Sequence, residues 1–307
     1  MNVLVLGSRG FVGTAVCAAL REQGHDVTTA VAPRVQTDEI SAAQREQFVG
    51  EIQAALGGCD AVVNAAGVPD ATGSDYDAMV GANTVLPGIV AEAARRLGLR
   101  CVHVSSAAVQ GDKEVLDSSD DVRPFSPYSE SKVRGEREAL QQGGEVVVYR
   151  PPGVHGANRD VTRTVARLAG SPLSSVAGDG SHPAAQALIG NVGAAVATLA
   201  THPDTPPRVV HHPWEGQTTA SLLRALGGRE PVHLPSALAR GLVEVARAAG
   251  RVRPGLAGHA RRLEVLWFGQ SQAPSWLDSI QWVAPDGRES WEALGRSIRT
   301  SNKETHD

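Results

Sequence analysis

The chain has 307 residues, 42% of them apolar, enough for one large α/β domain or for such a domain with a smaller lobe. Its 29 basic and 33 acidic residues leave a net charge of −4, so there is no electrostatic case for nucleic acid or an anionic membrane as partner. No apolar run reaches the roughly 18 residues of a membrane span, and the three scattered cysteines, Cys17, Cys59 and Cys101, fit neither a disulfide framework nor a zinc site.

No charged-then-apolar leader precedes the first strand, so the expectation is a soluble cytoplasmic protein without a metal, disordered only at Ser301 to Asp307. Val3 to Leu6 is an apolar run without polar alternation, the pattern of a central parallel strand covered on both faces. Gly7, Gly10 and Gly13 follow it. They suit, in turn, a tight turn, a close backbone approach to a pyrophosphate, and helix-to-strand packing. A helix over about Phe11 to Gln23 then points its amides and positive dipole end at that phosphate.

Strand and helix alternate from there. His25 to Val31 reads as a strand, Val35 to Glu39 as a short third one before a helix through about Leu56, and Asp60 to Asn64 as the next, closing on Ala65, Ala66 and Gly67. A long helix is predicted over about Ser74 to Leu97, with Glu92 and Arg96 as a solvated i, i+4 pair. Arg100 to Ser105 is a strand, Pro127 to Gln141 a helix, and Glu145 to Arg150 a strand. This is the pattern of an α/β, Rossmann-type doubly wound parallel sheet.

After Pro151-Pro152-Gly153 the alternation loosens. Helices are predicted over Val161 to Ala169, Val192 to Ala200 and Leu234 to Ala249, a strand over Arg208 to His212, and a linker at Thr205 to Pro207. Four of the five tryptophans, Trp267, Trp276, Trp282 and Trp291, are expected to fill the core of a smaller C-terminal lobe. The division expected is a dinucleotide-binding domain over residues 1–150, with returning segments near 186–212, and a mainly substrate-binding lobe over 151–307.

Tyr128 and Lys132 stand i, i+4 on the helix that opens after Pro127, so both project from one face. A free phenol, with a pKa of about 10, is a poor acid–base catalyst. An ammonium about 4 Å away favours the phenolate by roughly 4 kcal/mol at an effective dielectric near 20, an upper limit because burial opposes it. Ser106 follows a strand at its carboxyl end, where open α/β sheets bind ligands, and can donate to a carbonyl oxygen while Tyr128 transfers the proton. A turn cap is the plainer role for such a serine.

The glycines at 7, 10 and 13, VNAAG at 63–67, Asn83, VSSAAVQG at 104–111, SPYSESK at 126–132 and RPPGVHG at 150–156 come in the order of one family. The chain resembles the extended short-chain dehydrogenase/reductases, the NAD(P)-dependent epimerase/dehydratase family. The resemblance is strong to about residue 156 and thins afterwards. It implies a catalytic Ser106, Tyr128 and Lys132, with Lys132 also bonding the nicotinamide ribose. It implies a cofactor held by Gly7, Arg9, Gly10, Phe11, Val12, Ala65, Ala66 and Gly67, with Pro151, Gly153 and Val154 against the nicotinamide and Asn83 as a structural asparagine. Ser106, Ala107 and His155 would meet the substrate, and the helices near 74–97 and 127–141 would form a homodimer.

Several positions depart from the family pattern. Val31 stands where an acidic residue would bind the adenosine ribose of NAD, and Arg9 and Arg34 suit a 2′-phosphate, so the expected cofactor is NADP (NADPH) rather than NAD. Ala107-Ala108 replaces the Asp-Glu pair of the dehydratases, which disfavours dehydration. Ala184, Ala185 and Gln186 stand at the arginine-bearing turn that grips a nucleotide-sugar diphosphate, leaving Arg159, Arg163 or Arg167 as substitutes. His155 replaces a tyrosine and is expected as a pocket wall, with a second proton donor as the alternative. The first reading is an NADPH-dependent ketoreductase acting on a small metabolite or natural-product intermediate. The alternatives are a nucleotide-sugar 4-epimerase or 4-ketoreductase, and a non-catalytic NADP-sensing protein, which retention of Tyr128 and Lys132 argues against.

Overall fold

The computed structural model describes residues 1–37, 39–69, 76–252 and 257–304. The first half runs β1 (Asn2–Leu6), α1 (Phe11–Glu22), β2 (Asp26–Ala30), α2 (Ala42–Ala55), β3 (Ala61–Asn64), α3 (Tyr76–Val80), α4 (Leu86–Arg96) and β4 (Arg100–Val104). Then come β5 (Val115–Leu116), α5 (Pro127–Gln141), β6 (Val146–Arg150), β7 (Gly153–His155), α6 (Asp160–Gly170), β8 (Ser175–Ala177) and β9 (Gln186–Leu188). The chain continues through α7 (Ile189–Thr201), β10 (Val209–His211), α8 (Thr219–Gly227), β11 (Val232–Leu234) and α9 (Ser236–Val252). It closes with α10 (Ala257–Phe268), β12 (Ser271–Gln272), α11 (Trp276–Ser279) and α12 (Arg288–Glu304).

Six strands form one parallel sheet in the order β10-β6-β4-β3-β1-β2. The order reverses between β1 and β3, where Leu6 pairs with Asn64, so the crevice of a doubly wound sheet opens beyond these two carboxyl ends. Val3 to Leu6 are all 0% exposed and serve two cores by alternation. Val3 and Val5 pack with α1 and α7, while Leu4 and Leu6 pack with α2 and α4. The smaller lobe gathers α6, α8 and α12 around the buried Trp291, beside the β8–β11 pair.

Five expectations change. The described residues of Val35 to Glu39 form no strand; β2 is the sheet edge, and Val35 is buried instead against Gly81. The predicted long helix runs on through Arg96 but carries a π-helical turn at Gly81–Val85, between α3 and α4. Pro87 supplies no amide to that turn, and Asn83 spends its side chain on Val68 and Ser131. The predicted start at Ser74 lies outside the described residues. Trp267 and Trp291 fill the lobe, but Trp276 and Trp282 pack on the main-sheet core, because α11 folds back across it next to His202 and His212. Ser301 to Glu304 belongs to α12, and 305–307 lie outside the described residues. The Glu92–Arg96 pair is part of a network: Arg96 reaches Glu92 at 2.7 Å and Glu46 at 2.6 Å, and Arg45 reaches Glu92 at 2.9 Å, tying α2 to α4.

Candidate active site

The turn after β1 has Gly7 at φ +76°, where a side chain is strained and a Cβ would come within 2.6 Å of Ala66 N. A Cβ on Gly13 would overlap the carbonyl of Gly7. Gly10 lies exposed with its amide on Gly7 O at 2.9 Å, leaving the backbone open to a ligand at the start of α1. These contacts make a cradle that fits a dinucleotide phosphate.

Ser126 and Ser129 form a reciprocal cap (3.2 and 2.9 Å) and Pro127 opens α5, which fixes the rotation of the helix. Tyr128 and Lys132 thereby share the face turned to β4. Lys132 is 6% exposed, and its Nζ donates to Val104 O at 3.1 Å. Burial lowers its pKa to about 8, with Glu136 opposing the shift. Ser106 follows β4 and caps the short turn Ala107–Gln110, its Oγ accepting from Ala108 N at 3.2 Å. Because the cap uses an acceptor site, the hydroxyl proton remains available, so the cap is compatible with a binding role.

One cavity, about 570 Å³ with its open mouth, brings these residues together. Ser106, Tyr128 and Lys132 line it, as do Val12, Ala65, Ala66 and Gly67 from the switch point and Pro151 and Val154 from the segment after β6. Other predicted residues stand outside its wall. Phe11 is half-buried beside it, and Arg9 and Arg34 are exposed, Arg9 on the glycine turn and Arg34 beyond β2. Gly153 abuts Gln186, since a Cβ there would overlap its amide. Asn83 holds Val68 through paired bonds of 3.0 Å and thereby fixes the loop carrying Gly67. Ala107 is buried, donating its amide to Pro151 O at 2.8 Å. His155 is buried too: its Nε2 bonds Gln186 Oε1 at 2.8 Å, its ring lies 5.4 Å from Trp291, and burial lowers its pKa to about 4.

Of the three arginines offered at α6, Arg159 lines the cavity, with its guanidinium 4.9 Å from the Phe11 ring centre. One feature escapes the sequence reading. Beneath the cavity, Glu136 accepts from Ser105 Oγ at 2.5 Å and from Arg150 at 3.0 and 2.7 Å, all within the core. The available signal was spacing: Glu136 stands i+4 from Lys132 and i+8 from Tyr128, on the face of α5 turned inward.

A parallel sheet with a glycine turn at its switch point and a cavity at its carboxyl edge defines a Rossmann-type dinucleotide-binding protein. The NAD dependent epimerase/dehydratase family model matches residues 3–208. The chain belongs to that family, the extended short-chain dehydrogenase/reductases, whose members are NAD(P)-dependent oxidoreductases and epimerases. It is 29% identical over 173 residues to a 4-hydroxy-2-methyl-3-oxo-4-farnesyl-3,4-dihydroquinoline-1-oxide ketoreductase of Stigmatella aurantiaca, covering 52% of each chain. To a probable low-salt glycan biosynthesis reductase, Agl14, of Haloferax volcanii it is 26% identical over 177 residues, covering 54% of this chain and 57% of that one. The chain thus spans about half the length of the curated relatives it matches.

Its fold is similar to that of UDP-glucuronic acid 4-epimerase from Bacillus cereus in complex with NAD, at TM-score 0.65 and 19% identity, covering 98% and 99% of the two chains. The human epimerase family protein SDR39U1 (isoform2) with NADPH gives TM-score 0.66 and 21% identity, covering 96% and 99%. Among the described residues no helix is long and apolar enough to cross a membrane.

Proposed function

We propose that the protein is an NADPH-dependent ketoreductase in which Ser106, Tyr128 and Lys132 act on a carbonyl. The observation carrying this reading is the single cavity that Ser106, Tyr128 and Lys132 share with Val12 and Ala65 to Gly67. Gly10 and the first turn of α1 would hold the pyrophosphate, and Pro151 and Val154 would wall the nicotinamide. A dinucleotide held there would supply the hydride for the carbonyl carbon. Ser106 donates a hydrogen bond to the carbonyl oxygen and sets its position. Tyr128 gives that oxygen a proton, is stabilised as phenolate by the Lys132 ammonium, and is reprotonated from solvent.

Arg9 and Arg34, with Val31 in place of a carboxylate after β2, support NADP as the cofactor. The same cavity argues against dehydration: among the described residues no Asp or Glu lines it. Ala184 and Ala185 are buried and Gln186 is committed to His155, which gives a sugar diphosphate no charged partner at that turn. A screen of ketones and keto-sugars, read by the absorbance of reduced nicotinamide, tests the assignment. Stoichiometric NADPH loss with release of an alcohol is expected; isomerisation of a sugar without net dinucleotide turnover would instead mark an epimerase.

A further inference from the structure

Three arginines lie at α6, and only one faces the cavity. Arg163 and Arg167 are exposed, and Arg163 pairs with Asp160 at 3.4 Å. Arg159 is half-buried, lines the cavity with Tyr128, and lays its guanidinium 4.9 Å from the centre of the Phe11 ring. It is the N-cap residue of α6 and makes no side-chain cap bond. Among the described residues no carboxylate stands within ion-pair distance of it, and none lines the cavity. Burial disfavours its cation, and the group that offsets this electrostatically is the Tyr128 phenol. A half-buried guanidinium with unmatched donors, facing open space without a fixed counter-charge among the described residues, is a receptor for an anion that arrives with a ligand.

Two anions compete for that place. The dinucleotide pyrophosphate already has the open amides at the start of α1. Arg159 instead stands within electrostatic reach of Tyr128, the group that faces the reacting carbonyl in the reading above. We infer that Arg159 binds a carboxylate or phosphate carried beside the substrate carbonyl, so that the cavity takes an acidic ketone in preference to a neutral one. Phe11 covers one face of the guanidinium and leaves an edge for two parallel N–H···O bonds, which a carboxylate or a phosphate can accept. This inference rests on the ketoreductase reading for the carbonyl and on Arg159 alone for the anion.

The test pairs acidic ketones with neutral counterparts: acetoacetate with its ethyl ester, and dihydroxyacetone phosphate with dihydroxyacetone. Wild type is expected to favour the acidic member of at least one pair by roughly 10- to 100-fold in kcat/KM, chiefly through KM. Arg159→Gln should bring that ratio close to one, and Arg159→Lys should restore part of it. The pair that responds tells carboxylate from phosphate. Preference for the neutral members, or a ratio that survives in Arg159→Gln, overturns the inference. So does a tenfold loss of NADPH affinity in Arg159→Gln without substrate, because the anion would then be the pyrophosphate. If no carbonyl compound is reduced, the ketoreductase reading fails by itself. The anion is then read by calorimetric titration of acetoacetate and dihydroxyacetone phosphate into the NADP complex: binding that Arg159→Gln abolishes upholds it, and absence of binding sinks it.

Discussion

Along β1 and β3 the buried side chains are aliphatic up to Asn64, and each strand needs nothing beyond its two neighbours and the helices above and below. The segments after β7 are joined to that sheet differently. The Tyr149 hydroxyl on β6 donates to His212 Nδ1 at 2.5 Å, and His212 Nε2 donates to Glu215 at 2.9 Å. Glu215 also accepts from Leu188 N at 3.1 Å and from Trp291 Nε1 at 3.2 Å. One buried carboxylate thus ties a sheet strand, the start of α7 and α12 together. The first region gains stability from area, which is additive and tolerant of small changes; the second depends on a few polar groups that must all be matched.

The comparison can be broken at the polar joints first. Glu215→Ala leaves His212 Nε2, Leu188 N and Trp291 Nε1 without their shared acceptor, and chemical unfolding should show a loss of about 3–5 kcal/mol. Arg288→Ala, which removes an exposed partner of Glu292, should cost under about 1 kcal/mol in the same assay. Equal losses would contradict the contrast. Trp291→Ala removes the largest buried side chain of the lobe and should cost roughly 3–5 kcal/mol. Near-native stability in that variant would show that the lobe does not depend on this core.

Acidity gives a smaller and graded effect. Because burial lowers the His155 pKa to about 4 from 6.5, the unfolded chain holds a proton in that window that the folded chain lacks. Its contribution to stability should fall as pH drops through that range, and His155→Gln should flatten the profile. Lys132 shifts from 10.5 to about 8 for the same reason, so its contribution should rise with pH between those values. Turnover should move the opposite way, with kcat/KM declining above about pH 8 as the ammonium is lost. An activity profile flat to pH 10 would remove Lys132 from the proposed chemistry. The smallest expected effect is at the cofactor: Arg9→Ala with Arg34→Ala should erase a roughly tenfold preference for NADPH over NADH in direct titration.

The same contrast explains what could be read from the chain before its structure. Apolar runs such as Val3 to Leu6 and Val146 to Tyr149 are legible because a strand buried on both faces leaves no room for polar alternation. The glycine spacing and the i, i+4 placement of Tyr128 and Lys132 are local, and their geometry follows from one turn and one helix. The pairing of β7 with β9 joins residues 153–155 to 186–188, strands too short to carry a period. Arg159 reaches the cavity, and Trp276 and Trp282 reach the sheet core, only because distant segments fold back, which no local pattern records. The Glu136–Arg150 pair is legible only in part: spacing puts Glu136 on the inward face of α5, but Arg150 alone reads as a surface charge.

The proton-transfer role of Tyr128 is tested most directly by Tyr128→Phe, assayed for NADPH affinity and for carbonyl-dependent NADPH oxidation on one preparation. The account predicts affinity within about threefold of wild type and turnover reduced by roughly 10²–10⁴-fold. Undiminished turnover in that variant would contradict it.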